Sequence, residues 1–303
     1  MQQDFERLLL VDGVLAGYAD FRQPGAVRYL LHPRDDITGV HYSVLAMIHA
    51  IMEDMLTPAQ ARAHLRVIDA HLSGPDGVRL FDCPMPYHGG PQRIFQRAES
   101  ATFFGREIGL MYTHGHLRYA QALAHVGDAA RFFHALCLAN PIGIRALLPA
   151  ATLRQANCYY SSSDAAFDDR YQASAEYQRV AQATVAFDGG WRVYSSGAGI
   201  AFGLVVHNFL GLRCESQRLR VDPVIPDTLD GLRVRTSLLG CALEVSYRIG
   251  AAGCGVRRLQ LNGEPLQFER DANPHRPGAA MVDRAMLPGR LSRELNTLAI
   301  ELD

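Results

Sequence analysis

The stretch Phe103–Asp128, FFGREIGLMYTHGHLRYAQALAHVGD, carries an acid, an imidazole and a guanidinium at Glu107, His114 and Arg118. Together with Met111 they fall at i, i+4, i+7 and i+11, so at helical period they share one narrow stripe of a helix face. That stripe is either a solvated surface beside a core histidine or one wall of an anion pocket. A second segment, WRVYSSGAGI, sets Trp191, Tyr194, Ser195, Ser196 and Gly197 immediately before a helical run. A helix N-terminus offers unpaired N–H groups and the positive end of a dipole, and serine hydroxyls add donors, a combination suited to phosphate. An ordinary N-cap with a flanking glycine has the same composition, and for either segment alone both readings stay open.

Other chemistries have less support. His114 and His116 are two apart and point to nearly opposite sides of a helix. His64 and His71 share a face that Leu65 and Ile68 mark for packing. No HExxH or Cys/His cluster occurs, so no metal is expected. No GxSxG elbow occurs, and Ser161–Asp164, SSSD, reads as a polar loop rather than part of a hydrolase triad.

The elements that would position these residues divide the chain in two. Residues 37–56, 57–72, 105–127 and 128–140 read as helices, with a shorter one in 174–185 and a last one over 195–213. Thr57, Pro58 and Gln60 spell a capping box with proline in the first turn. Two long connections, 73–104 and 153–171, are rich in Tyr, Gln, Asn, Arg, Asp and Ser, and loops of that length inside a compact domain are usually functional. From Leu219 onward short alternating runs appear, and Asn262-Gly263 between them is a type I′ hairpin signal. The expected organisation is helical hairpins over 1–212 and a mainly antiparallel β domain over 213–303.

At 303 residues, with 48% hydrophobic content, the chain can bury a substantial core. Its net charge of −1 gives no basic excess with which to grip nucleic acid. The N-terminal stretch does not read as a signal peptide, no apolar run reaches membrane length, and six scattered cysteines without a CxxC pair read as free thiols of a reducing compartment, so a cytoplasmic protein is expected.

Taken together, YLLHPRDDITGVHYSVL, HLSGPDGVRLFDCPMPYHGGPQRIFQRAES, FFGREIGLMYTHGHLRYA and YSSSDAAFDDRY resemble the C-terminal portion of the inverting glycoside phosphorylases of glycoside hydrolase family 94. The likeness is to the 1,2-β-oligoglucan branch and to the phosphorylase-like region of cyclic β-1,2-glucan synthases. The resemblance implies an α+β fold: about half of an (α/α)6 toroid followed by a C-terminal antiparallel β domain. It implies that Glu107 lies at the sugar site and that His114, seven residues on as in the family's KENG…H segment, binds phosphate. WRVYSSG is similar to the family's W-x-x-Y-T-G, which assigns Ser195, Ser196 and Gly197 to phosphate and Trp191 and Tyr194, with Arg118, to substrate. Ser196 departs from the family's glycine, although Gly197 follows directly.

The implied reaction is attack of inorganic phosphate on the anomeric carbon of a β-1,2-linked glucosyl unit. It gives α-glucose 1-phosphate with inversion, an Asp protonating the leaving oxygen. Phosphate is a co-substrate, and no cofactor is implied. The family's general-acid Asp belongs to a Trp-containing motif upstream of the matched strings, and Trp191 is the sole tryptophan here. The resemblance therefore implies a piece of such an enzyme, inactive alone, whose partner is the missing N-terminal half or another copy of the chain. Asp35, Asp36 and Glu99 are expected to serve sugar hydroxyls or loop structure. A non-catalytic carbohydrate- or phosphate-binding module, or a hydrolase on the same toroid, are the alternatives.

Overall fold

The computed structural model describes residues 2–23, 25–84, 94, 110–190, 192 and 196–303, and of Gln2 and Ser196 the backbone alone. The chain forms two compact units, one of residues 1–122 and 135–199, the other of residues 123–134 and 200–303. Helix and strand are mixed in both. No helix among the described residues is long and apolar enough to cross a membrane.

The first unit begins with the helix Gln2–Leu9 and a short hairpin, Leu10–Val11 against Val14–Leu15. A longer hairpin follows, Tyr18–Gln23 against Ala26–Leu30, turned at Gly25, whose φ of 76° suits a residue without a side chain. The helix Val44–Met52 follows and buries Val44, Met47, Ile48 and Ile51. It is shorter than the 37–56 expected. The backbone N–H groups of His41 and Tyr42 are held by the Asp82 carboxylate at 3.0 Å each, so those residues are committed outside the helix. Asp35 shapes the turn before it. Its carboxylate accepts from the N–H groups of Leu31, Ile37 and Thr38 at 2.9 Å and from the Thr38 hydroxyl at 2.6 Å. These bonds hold its pKa down against burial, which alone would raise it. Asp35 is thus a loop organiser. Replacing it with Ala will strand four donors, three on the backbone, and lower stability by about 3 kcal/mol, read as a drop in urea midpoint.

The helix Pro58–His71 has both halves of the expected capping box: Gln60 N–H donates to the Thr57 hydroxyl and Thr57 N–H donates to the Gln60 side chain. Its inner face carries Ala61, Leu65, Ile68 and the fully buried His64. His64 Nε2 accepts from Leu15 N–H at 3.1 Å while Nδ1 faces the Gln60 carbonyl at 2.8 Å, so the ring works in its neutral form. Burial depresses its pKa. A depressed folded-state pKa means that the unfolded chain takes up the proton first. The stabilisation is complete above the unfolded value of about 6.5 and is lost as pH falls through the folded one. Urea denaturation from pH 8 to pH 5 will show this decline, and His64→Gln will flatten it. An equal slope in the variant removes His64 as its source.

Three expected elements differ in the middle of this unit. The helix expected from residue 105 begins at Thr113 and runs to Val126, because Met111–Tyr112 is a strand. Ser162–Ala165, expected as loop, is also a strand. It lies between Met111–Tyr112 and Phe187–Gly189, antiparallel to both, with Tyr112 opposite Ser162 and Asp164 opposite Asp188. The single helix expected within 174–185 is two short ones, Arg170–Ala175 and Gln178–Ala181. The first is capped by Asp169, whose carboxylate accepts from Tyr171 and Gln172 N–H. Leu110, Leu138, Ile144, Phe167, Val180 and Phe187 close a core around this sheet.

The second unit carries two sheets that share one core. The larger runs, in spatial order, Arg233–Leu238, Cys241–Arg248, Asn296–Leu302, Val256–Leu261, Glu264–Pro265. Period-2 alternation buries Leu243, Val245 and Tyr247 from one strand and Leu298, Ile300 and Leu302 from another. Asn262 and Gly263, at φ 52° and 84°, make the tight turn of the expected hairpin. The expectation of antiparallel pairing fails at one place: Asn296–Leu302 lies parallel to Cys241–Arg248. The smaller sheet, Leu212–Cys214, Arg218–Val221, Ala280–Asp283 and Glu269–Arg270, turns Leu219, Val221, Ala280 and Val282 inward and Arg218, Arg220, Met281 and Asp283 outward.

Candidate functional site

The site residues derived from sequence fall on two chain segments, and the three-stranded sheet of the first unit decides where those segments go. Met111–Tyr112 and Phe187–Gly189 both run antiparallel to the central strand Ser162–Ala165, so they are parallel to each other and end at the same edge of the sheet. At that edge Thr113 N–H donates to the Ser161 carbonyl and Gly190 N–H donates to the Ser162 carbonyl, both at 2.9 Å. Tyr160 pairs across to Arg192. The start of the helix bearing His114 and the start of the connection leading to Gly197 therefore flank residues 159–162.

His114 is the second residue of its helix. Its ring lies parallel to Tyr112, 6.1 Å between centroids at 8°. Burial lowers its pKa, and the neighbouring Arg118 lowers it further, so at neutral pH it is an uncharged imidazole beside a permanent cation. Arg118 lies one turn on, on the same face, with Nη1 donating to Gln121 Oε1 at 2.6 Å. The helical stripe is thus retained from His114 to Arg118. Met111, in a strand, is not part of it, and Glu107 lies outside the described residues.

Gly197 is buried in the first turn of the helix Ser196–Gly203. A Cβ there would overlap the Tyr159 hydroxyl, so the position takes only glycine without rearrangement. Gly189 packs in the same way on the Tyr160 ring, and Gly190 on the side chains of Ser162 and Asp164. At Gly189, Gly190 and Gly197 the chain is therefore pressed onto the 159–164 segment. Ser196 opens the helix, while Trp191, Tyr194 and Ser195 lie outside the described residues.

The sheet adds a group of residues that the sequence reading left unassigned. Arg154 donates from Nη2 to Ser163 Oγ at 3.1 Å and sits 5.8 Å from the Tyr160 ring centre. Its Nε is buried and has no hydrogen-bond partner among the described residues. Burial lowers its pKa, and the nearby carboxylates Asp76, Asp164 and Asp188 counteract this. Asp164 is affected in the opposite sense: burial pushes its carboxyl upward, and the Ser162 hydroxyl, donating at 2.5 Å, and Arg154 pull it part of the way back. Asp188 opposes it directly across the strands, a like charge that adds to the upward push on Asp164. The only sequence signal for this group was the polar, aromatic content of the 153–171 stretch; its pairing partners lie far away in the chain.

No family model matches the sequence. Over 294 residues, 97% of its length, the chain is 38% identical to a 1,2-beta-oligoglucan phosphorylase from Listeria innocua serovar 6a. The match covers 27% of that protein, so the chain spans about a quarter of the length of its relative. The chain is therefore related in sequence to one region of a phosphorylase.

Proposed function

We propose that the chain is the C-terminal portion of an inverting β-glucan phosphorylase of glycoside hydrolase family 94. On this reading, its helices supply part of an (α/α)6 toroid and its second unit the appended β domain. The substrates are a β-1,2-linked gluco-oligosaccharide and inorganic phosphate. The observation that carries this reading is the sheet edge at which the His114 helix and the 190–197 connection emerge on either side of residues 159–162. Phosphate there meets the neutral His114 imidazole as a directional donor, the Arg118 cation and the N-terminal N–H groups of the Ser196–Gly203 helix. Ser195 and Ser196 add hydroxyls, and Glu107, Trp191 and Tyr194 hold the sugar.

Phosphate replaces the water and general base of an inverting hydrolase, so the residues that hold it stabilise charge rather than remove a proton. The proton donor comes from residues beyond this chain. The isolated chain will bind inorganic phosphate, seen by 31P NMR titration, and His114→Ala will weaken that binding at least ~10-fold, the loss of one strong contact. It will release no glucose 1-phosphate from sophorose or longer β-1,2-glucans.

One observation favours a second reading. Asp164, with its carboxyl pushed up by burial, is a candidate proton donor at the base of the same connection. Glucose 1-phosphate formed by the chain alone and abolished by Asp164→Asn would assign the acid to Asp164. Absence of phosphate binding would leave the non-catalytic carbohydrate module.

A further inference from the structure

The second unit has a cleft of about 980 Å³ that the phosphorylase reading does not use. It lies on the outward face of the smaller sheet. Met281 forms part of its lining, and Arg218 reaches across the sheet to pair with Glu269 at 2.8 Å. Arg284 is fixed at one wall by the carbonyls of Glu215 and Ser216, at 3.0 and 3.4 Å, with Asp283 beside it. Gln267 and the half-buried Phe268 line the cleft as well.

The chemistry of these groups narrows the ligand. Two guanidinium groups and two carboxylates balance, so neither an anion nor a cation gains net attraction. A purely apolar ligand would strip water from four charges and an amide without replacing it. A neutral polyhydroxylated chain meets neither obstacle. Its hydroxyls pair with carboxylate, guanidinium and amide, each able to donate or accept at two atoms, while its C–H faces cover Phe268 and Met281. The volume lies at the upper end for small-molecule sites, which fits several linked rings better than one.

We infer that this cleft is a second carbohydrate site, which holds a gluco-oligosaccharide chain on the β unit apart from any reacting end. The inference goes beyond the phosphorolysis proposed above: the lining itself argues for a polyhydroxylated chain, and only the choice of glucose rests on that reading. The ion pair across the cleft is exposed, so removing Glu269 costs the fold little.

The test is NMR of the whole chain with 13C-methyl methionine, titrated with β-1,2-gluco-oligosaccharides. Met281 and Met286, both in the lining, will shift and saturate, and Glu269→Ala or Gln267→Ala will weaken that response at least ~10-fold, with His114→Ala leaving it unchanged. The inference is overturned if neither methyl moves up to about 10 mM saccharide, or if the shifts persist undiminished in both cleft variants. Failure of phosphate binding at His114 would not alter these shifts, so the two proposals fail separately.

Discussion

Asp76→Ala will destabilise the first unit by about 3–5 kcal/mol, the cost of leaving one member of a buried ion pair without its partner. Asp76 and Arg79 are joined at 2.8 Å with side chains 1% and 6% exposed. Arg79 also donates to the Gly77 carbonyl at 3.1 Å, and a Cβ on Gly74 would overlap its guanidinium, so the group has no route to solvent. Removal of the carboxylate leaves a cation walled in. Removal of both charges, in Asp76→Leu with Arg79→Met, will recover most of the loss, because neither desolvation penalty remains. Hydrogen exchange confined to residues 1–122 and 135–199 separates this from a global effect. A double variant as unstable as the single one would show that geometry, not charge, is what the pair supplies. Asp76 Oδ2 and Arg79 Nε have no hydrogen-bond partner among the described residues, so the pair is held at a cost a fully apolar replacement avoids.

Arg276→Ala will have the corresponding effect in the second unit, about 3 kcal/mol and about 10 °C in its melting temperature. Arg276 grips Asp222 with both terminal nitrogens, at 2.6 and 3.0 Å, while its Nε faces the Ala124 and His125 carbonyls at 3.1 and 3.2 Å. Those carbonyls belong to the last turn of the Thr113–Val126 helix, where intrahelical donors run out. One side chain thus satisfies a buried carboxylate and a helix C-terminus together. Arg220 also reaches Asp222, at 3.1 Å, so the carboxylate is not stranded outright, which places the loss near the lower end of the range for such pairs. Arg276→Lys keeps the charge but loses the two-pronged geometry, and its melting point will fall between those of wild type and Arg276→Ala. A lysine variant as stable as wild type would show that charge alone suffices.

These effects were not readable in the chain, and the reason is the same one that hid the site. Thr57-Pro58 with Gln60, and Asn262-Gly263, declare a capping box and a tight turn within four residues, and both are present. Ser162–Ala165 declares nothing: serine and aspartate are poor strand formers, and this segment is a strand because Met111–Tyr112 and Phe187–Gly189 pair with it from some fifty and twenty-five residues away. The same distant pairing cut the helical stripe short. Glu107, Met111, His114 and Arg118 have helical spacing whether or not a helix is there, and Met111 is drawn into the sheet. What the structure shows of the stripe is His114 with Arg118 one turn on, and Gly197 standing where a side chain has no room. Trp191, Tyr194, Ser195 and Glu107 remain readings of sequence alone.

The placement of Asn296–Leu302 has a consequence for synthesis. This strand fills the middle of the five-stranded sheet, between partners that begin at Cys241 and Val256. Neither half can pair across the gap until Leu302 has cleared the ribosome, so hydrophobic edges emerge well before their cover. Assembly of the sheet therefore waits on the last of its strands to be made, and a chain cut before Asn296 will leave both halves with uncovered apolar edges.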